Sequence, residues 1–251
     1  MIPLEFLLAF WPPAPQPSGI GEILAKIQAN TAQWEQSLPD FVCEETATSK
    51  AIVRRKLQQY VNESHFVGRQ QKQGRWLFTE ARDVYMVNAK PVAHRQTLRG
   101  PILFGGGFSS VLHTTFSKQW AADHIYRFGG EETFRGRAVL TIEYATRQGQ
   151  KDLLWDFYGR AYPQIDTGKA WIDKDSLQVL RIERRYTNVP KGDSFILAAV
   201  EYREVRIEGA PFWMPALVTA EQAKGKYGEQ GRYTAEYRNY RKFNASSSII
   251  Y

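Results

Sequence analysis

Beyond Pro39 the chain breaks into short runs rich in Val, Ile, Thr, Tyr, Phe and Trp, separated by turn residues, and these runs alternate apolar with charged side chains. In residues 177–186, Leu180, Ile182 and Tyr186 fall on one parity and Arg181, Glu183 and Arg185 on the other. In residues 232–243, Tyr233, Ala235 and Tyr237 share a face; Arg238, Tyr240 and Lys242 count onto the opposite one. A period of two with one apolar side describes antiparallel strands that are wet on one face and must be covered on the other. About eleven such segments lie between residues 41 and 243, enough for one large sheet or an open barrel. Asp173-Lys174-Asp175-Ser176 and Glu208-Gly209-Ala210-Pro211 read as turns of a meander.

Two helical patterns are available as covers. Ile20, Ile23, Leu24 and Ile27, then Trp34 and Leu38, recur at helical spacing over residues 19–36. Ser18 suits the N-cap and Pro39 the stop. The second pattern, Val111, Leu112, Thr115 and Phe116, follows the stretch FGGGFSS at residues 104–110. The expected fold is α+β: a mainly antiparallel sheet curved into an open half-barrel, with an N-terminal helix and a short lid helix on its concave face. Two small covers over so many strands should leave an apolar hollow.

The chemistry of FGGGFSS is bland. A phosphate loop needs Lys-Ser or Lys-Thr after its last glycine, and Phe108-Ser109-Ser110 stands there instead. A dinucleotide fingerprint lacks both its third glycine and a βαβ unit. Gly105, Gly106 and Gly107 read as a hinge, with Ser109 or Ser110 as the helix cap. The four histidines, His65, His94, His113 and His124, show neither metal-ligand spacing nor an HExxH motif, and read as surface or turn residues. No metal and no cofactor is expected. No GxSxG elbow occurs. Asp123-His124 is only a two-residue echo of acid–base chemistry, and a carboxylate-dependent hydrolase is the weakest reading.

Composition sets further bounds. Aromatic residues make up 14% of the 251, which suits strands burying broad apolar surfaces. The net charge is +7, but Lys and Arg are scattered, with Arg54-Arg55-Lys56 the longest run. A nucleic-acid binder gathers them into a stripe, so no nucleic-acid partner is expected. A basic face suits at most peripheral contact with an anionic membrane, or an acidic partner. Cys43 is the single cysteine and reads as a small buried hydrophobe. Residues 1–17 combine an apolar run, interrupted by Glu5, with a Pro-rich linker. They read as a degenerate signal or a hydrophobic tail, ahead of a single domain at 18–251.

Some phrases carry a family resemblance. Ser37-Leu38-Pro39-Asp40-Phe41-Val42-Cys43-Glu44-Glu45-Thr46, with GKAWIDKDSLQVLRIE, VEYREVRIEGAPFWMP and AEYRNYRKFNASSSI, resembles a group of uncharacterised bacterial exported proteins. Their architecture is similar to that of the outer-membrane lipoprotein carrier and sorting family. That resemblance implies a helix followed by a half-open antiparallel barrel, closed by short helices over an apolar cavity. It implies carriage of lipoprotein acyl chains in the periplasm or, for a related sensor, binding of a stress-signalling partner. The helix after FGGGFSS falls where that family places lid helices. No segment aligns with the carrier's cavity arginine or its partner-binding loops.

The resulting expectation is a non-enzymatic periplasmic or otherwise exported binding protein for an acyl chain, a lipoprotein or a similar apolar ligand. Its cavity would be lined by Trp76, Phe78, Leu140, Ile142, Tyr144, Trp171, Leu180, Ile182, Tyr233 and Tyr237. The same residues could simply fill a core. The alternative is a protein-interaction or envelope-stress sensor domain without lipid cargo, using its basic convex face or a sheet edge.

Overall fold

The structure, a computed structural model, describes residues 19–243 apart from 74, 96, 106, 109, 151–153, 158–159, 190–192 and 225–229. Residues 1–17, Ser18, Gly106 and Ser109 therefore lie outside the described residues. Helix α1, Ile20–Ser37, ends where Pro39 ends the pattern. Strands β1 (Phe41–Val53), β2 (Lys56–Gln73), β3 (Arg75–Val87) and β4 (Lys90–Arg95) follow as a meander. Helix α2, Ser110–Phe116, precedes β5 (His124–Phe134) and β6 (Arg137–Thr146). Strands β7 (Leu154–Phe157) and β8 (Arg160–Pro163) form a separate hairpin. The chain then runs through β9 (Asp166–Asp173), β10 (Val179–Tyr186), β11 (Asp193–Ile207), β12 (Ala210–Lys224) and β13 (Gln230–Lys242).

Eleven strands form one unclosed sheet in the order β4-β3-β2-β1-β13-β12-β11-β10-β9-β6-β5. The ladders are antiparallel throughout. The expected fold class holds: one open antiparallel sheet, an N-terminal helix and a short second helix. The order explains why α2 is a cover. β4 and β5 are the two outer edges, so the chain between them has to travel from one edge of the sheet to the other. It does so across the apolar face, laying Phe108, Val111, Leu112 and Phe116 into the same core as Ile27, Trp34 and Leu38 of the first helix. No helix among the described residues is long and apolar enough to cross a membrane.

Strand parity decides which side chains enter that core. Phe41, Cys43 and Ala47 of β1 face in, as do Ile142 and Tyr144 of β6 and Tyr233, Ala235 and Tyr237 of β13. Tyr240 departs from the simple count. Asn239 adopts a left-handed φ of 56°, and the register with β1 shifts there. The bulge reverses the parity, and Tyr240 is buried against Phe41 and Phe108. A second bulge between Val179 and Arg181 puts Val179 into the main cluster, whereas Leu180 is buried outside it.

Gly168 is a place where a side chain would not fit. A Cβ there would run into the Glu183 carbonyl and the Tyr144 ring. Its absence lets the Tyr144 hydroxyl donate to Glu183 O at 3.0 Å. Gly168→Ala should lower unfolding stability by about 1–3 kcal/mol, as overpacking does. Urea unfolding would measure this, and a neutral result would mean that the β9–β10 spacing is not fixed by this contact.

Candidate functional site

The concave face has two halves, each centred on a buried ion pair between groups of aromatic residues. In the first half the crossing segment supplies Phe108. Its ring centroid lies 4.7 Å from Phe66, 4.9 Å edge-on from Tyr237 and 5.4 Å from Phe41. It also lies parallel to Phe78 at 6.1 Å. Beside this cluster, Arg82 makes a bidentate pair with Glu45, at 2.7 and 3.0 Å. Tyr237 and Ser64 also donate to Glu45, at 2.9 and 2.8 Å. Glu45 is buried because it shares the inward parity of Cys43 and Ala47.

The second half holds Arg184 on β10, inward between Ile182 and Tyr186. Its Nε lies 2.9 Å from Asp166 Oδ2, and its Nη2 donates to Thr115 Oγ1 of α2 at 2.6 Å. Asp166 accepts from Thr146 at 2.9 Å and from Gln164 at 2.8 Å. His124 Nε2 lies 3.6 Å from its other oxygen. The Tyr126 hydroxyl donates to the Thr115 carbonyl. The second helix is thus held to the sheet through Thr115 by an arginine and a tyrosine. Burial pushes the Asp166 carboxyl up, but the Arg184 charge, the nearby His124 ring and the Thr146 hydrogen bond outweigh it and hold the group below its ordinary value. Arg184 is likewise disfavoured by burial, yet Asp166 keeps it firmly protonated.

A third contact joins the two helices. His113 Nδ1 lies 2.6 Å from Glu35 Oε1, and Trp120 Nε1 donates to His113 Nε2 at 3.2 Å. An indole N–H only donates, so Nε2 accepts and Nδ1 carries the hydrogen towards Glu35. His113 and His124 are therefore interior residues, which corrects their reading as surface or turn histidines. The partner of His124 is Asp166 on a distant strand rather than its neighbour Asp123. No cluster of three or more metal-ligating side chains occurs among the described residues. Cys43 is buried as expected, and burial followed by the nearby Glu45 pushes its thiol up, away from nucleophilic chemistry.

The structure brings most of the expected lining residues together. Ile142, Tyr144, Ile182, Tyr233 and Tyr237 are fully buried in one cluster with Leu140, and Phe78 packs against it. The side chain of Trp76 lies outside the described residues. Trp171 is on the opposite, wet face. Its neighbours Ala170 and Ile172 point into the core, while its ring lies near Lys169, Arg181 and Phe134. The alternation of β9 dictates this, so Trp171 lines no concave surface.

The expected open hollow is filled. Beneath α1 the cavity lined by Ile27, Thr31, Trp34, Leu112, Val179 and Tyr202 holds about 10 Å3, the room for one water. In the first half of the face the Phe108 ring occupies the space. Of the glycines, Gly107 is pressed against Phe104 and Val218, whereas a Cβ on Gly105 would meet nothing within 4 Å. Gly107 thus serves close packing, and Gly105 has the room a hinge needs.

The Arg184–Asp166 pair gives a signed expectation. Asp166 is held low in the folded state, so its contribution is complete above the unfolded aspartate value of about 4 and is lost as pH falls through its folded value. Asp166→Asn strands the Arg184 charge and should cost about 3–5 kcal/mol at pH 7. It should also flatten the acid limb of the stability curve. Adding Arg184→Met should recover most of that loss. Chemical denaturation of the two single variants and the double variant measures the coupling, and additive losses would contradict the pairing.

No family model matches the chain, and no curated relative does. Several solved structures are similar over most of their length. A DUF1329 family protein from Desulfovibrio piger is 14% identical, with 92% of this chain and 96% of that chain covered and a TM-score of 0.44. An outer membrane lipoprotein-sorting protein domain from Vibrio parahaemolyticus is 11% identical, with 91% and 93% covered and a TM-score of 0.39. A LolA superfamily protein from Nitrosomonas europaea is 10% identical, with 88% and 94% covered and a TM-score of 0.38.

Proposed function

We propose that the protein is a non-enzymatic, exported binding protein that takes an acyl chain, or the acylated end of a lipoprotein, against the concave face of its sheet. The observation that carries this reading is the nature of the plug. Phe108 fills the aromatic slot of Phe41, Phe66, Phe78 and Tyr237, and it belongs to the edge-to-edge crossing rather than to any strand. Withdrawing it leaves the strand ladders intact and uncovers a preformed apolar surface.

The magnitudes allow the exchange. Exposing one buried phenylalanine side chain costs about 1.5–3 kcal/mol, and each buried methylene returns about 0.8 kcal/mol. Roughly two to four methylenes offset the loss of the Phe108 contact, and a fatty chain has several times that number. Phe78, Leu140, Ile142, Tyr144, Ile182, Tyr233 and Tyr237 would desolvate such a chain. The Arg184–Thr115 contact would hold α2 down in its absence. Gly105 is the position we assign to the hinge.

Native mass spectrometry of freshly purified protein, with organic extraction, should show a co-purified lipid. Gly105→Ala should slow uptake of a fluorescent fatty acid by about 2- to 5-fold, the kinetic equivalent of the 0.4–1 kcal/mol by which alanine restricts a glycine backbone. Uptake at an unchanged rate with an intact fold would remove the moving cover. A salt-sensitive protein partner with no extractable lipid would favour the interaction or sensor domain instead.

A further inference from the structure

The tip of the β1–β2 hairpin is not used by this binding reading. Residues 46–62 hold Lys50, Arg54, Arg55 and Lys56 and no Asp or Glu. The two strands stay paired to the end, with Ile52 opposite Leu57 and Val53 opposite Lys56. On one side, β3 pairs with β2 from Asn62 and Asn88 of the following turn holds Val61, so residues 56–60 overhang that edge, by roughly 17 Å at the usual rise per strand residue. On the other side, the last rung with β13 is Ala51↔Gly231.

The overhang is apolar where water should be. Ile52 and Leu57 are 50% and 68% exposed, and they stand together on the face opposite buried Ser49 and Ala51. Arg54, Arg55 and Lys56 are exposed around them. The turn itself is unusual. Arg54 and Arg55 take φ values of 49° and 63°, both left-handed. The comparable turns Asn88-Ala89, Arg135-Gly136 and Glu208-Gly209 each contain an Asn or a Gly, which tolerate that region. Arg54-Arg55 contains neither, so two cations sit where the backbone would favour other residues.

We propose that this tip docks the protein on an anionic phospholipid bilayer, with Ile52 and Leu57 entering the boundary between headgroups and acyl chains and Lys50, Arg55 and Lys56 against the phosphates. Two apolar side chains on a convex tip, above polar Gln58 and Gln59, fall far short of the ~800 Å2 per partner that a stable protein interface buries. A bilayer needs no complementary groove. An apolar wedge ringed by cations is the composition that partitions to its surface. The proposal holds whether or not a lipid occupies the concave face.

Co-sedimentation of the full chain with phosphatidylcholine vesicles, with and without phosphatidylglycerol, tests it. Binding should require phosphatidylglycerol and weaken as salt is raised. Arg55→Gln with Lys56→Gln should reduce partitioning by about 30-fold, and Ile52→Ser with Leu57→Ser by about tenfold or more. All four positions are exposed, so thermal unfolding should be unchanged. Lys26→Gln with Lys118→Gln removes the same charge from other exposed positions and should have little effect. No vesicle binding, equal binding to neutral vesicles, or an equal loss in the Lys26/Lys118 variant would overturn the proposal. So would binding of the tip to an acidic soluble protein in place of vesicles.

Discussion

One apolar sheet face has to be kept from water, and the chain covers it with its own edge-to-edge crossing. Because β4 and β5 are the two outer strands, the residues between them have to pass from one edge of the sheet to the other, and they do so over the apolar face. Phe108, Val111, Leu112 and Phe116 turn that crossing into burial. The N-terminal helix seals the neighbouring part through Ile27, Trp34 and Leu38, and Asn30 ties it to the β9–β10 turn by hydrogen bonds of 3.1 and 3.0 Å to Ser176 and Leu177 carbonyls. The core is therefore made of one continuous sheet and two helical covers, and the properties of the covers set the properties of the site.

Polar groups inside this core act as fixings. A buried ion pair gives little net stability over an apolar replacement, but it penalises any arrangement that separates its members. Arg184 couples Asp166 on the sheet to Thr115 on α2, and Glu45 gathers Arg82, Ser64 and Tyr237 from three strands. The two differ in kind. The Glu45 group links strand to strand and stays satisfied if the crossing lifts. Arg184 links sheet to cover through its Nη2, which donates to Thr115 Oγ1 and to the Val111 carbonyl, while keeping its carboxylate partner on the sheet. A lifted α2 costs those bonds without stranding a charge.

Much of this was legible in the sequence. The first helix was placed to within one residue at each end, because its apolar spacing and Pro39 are both explicit. The one-sided alternation gave the inward faces of β6, β10 and β13, whereas on β9 the inward residues are Ala170 and Ile172 rather than the expected Trp171. Arg184 was missed although it occupies the inward parity between Ile182 and Tyr186, and Glu45 although it sits between Cys43 and Ala47. Strict counting would have found both. Tyr240 could not be found by counting, since the bulge at Asn239 changes the count and only the pairing with β1 reveals it. The β1–β2 turn is hidden for a related reason: Arg54-Arg55 has none of the residues that announce a type I′ turn. The filled hollow depends on Phe108, whose place in the core follows from strand order and not from local pattern.

The packed interior and the binding role are reconciled only if the crossing opens as a unit separate from the sheet. Native-state hydrogen exchange measures this directly. Amides 114–117, at the end of α2, should exchange through an opening of clearly lower free energy than those of β1 and β13, and a saturating fatty acid should alter their exchange while leaving the strands unchanged. If the amides of α2 and of β1 exchange with one common free energy, equal to that of global unfolding and indifferent to fatty acid, the cover is part of the core and the account is wrong.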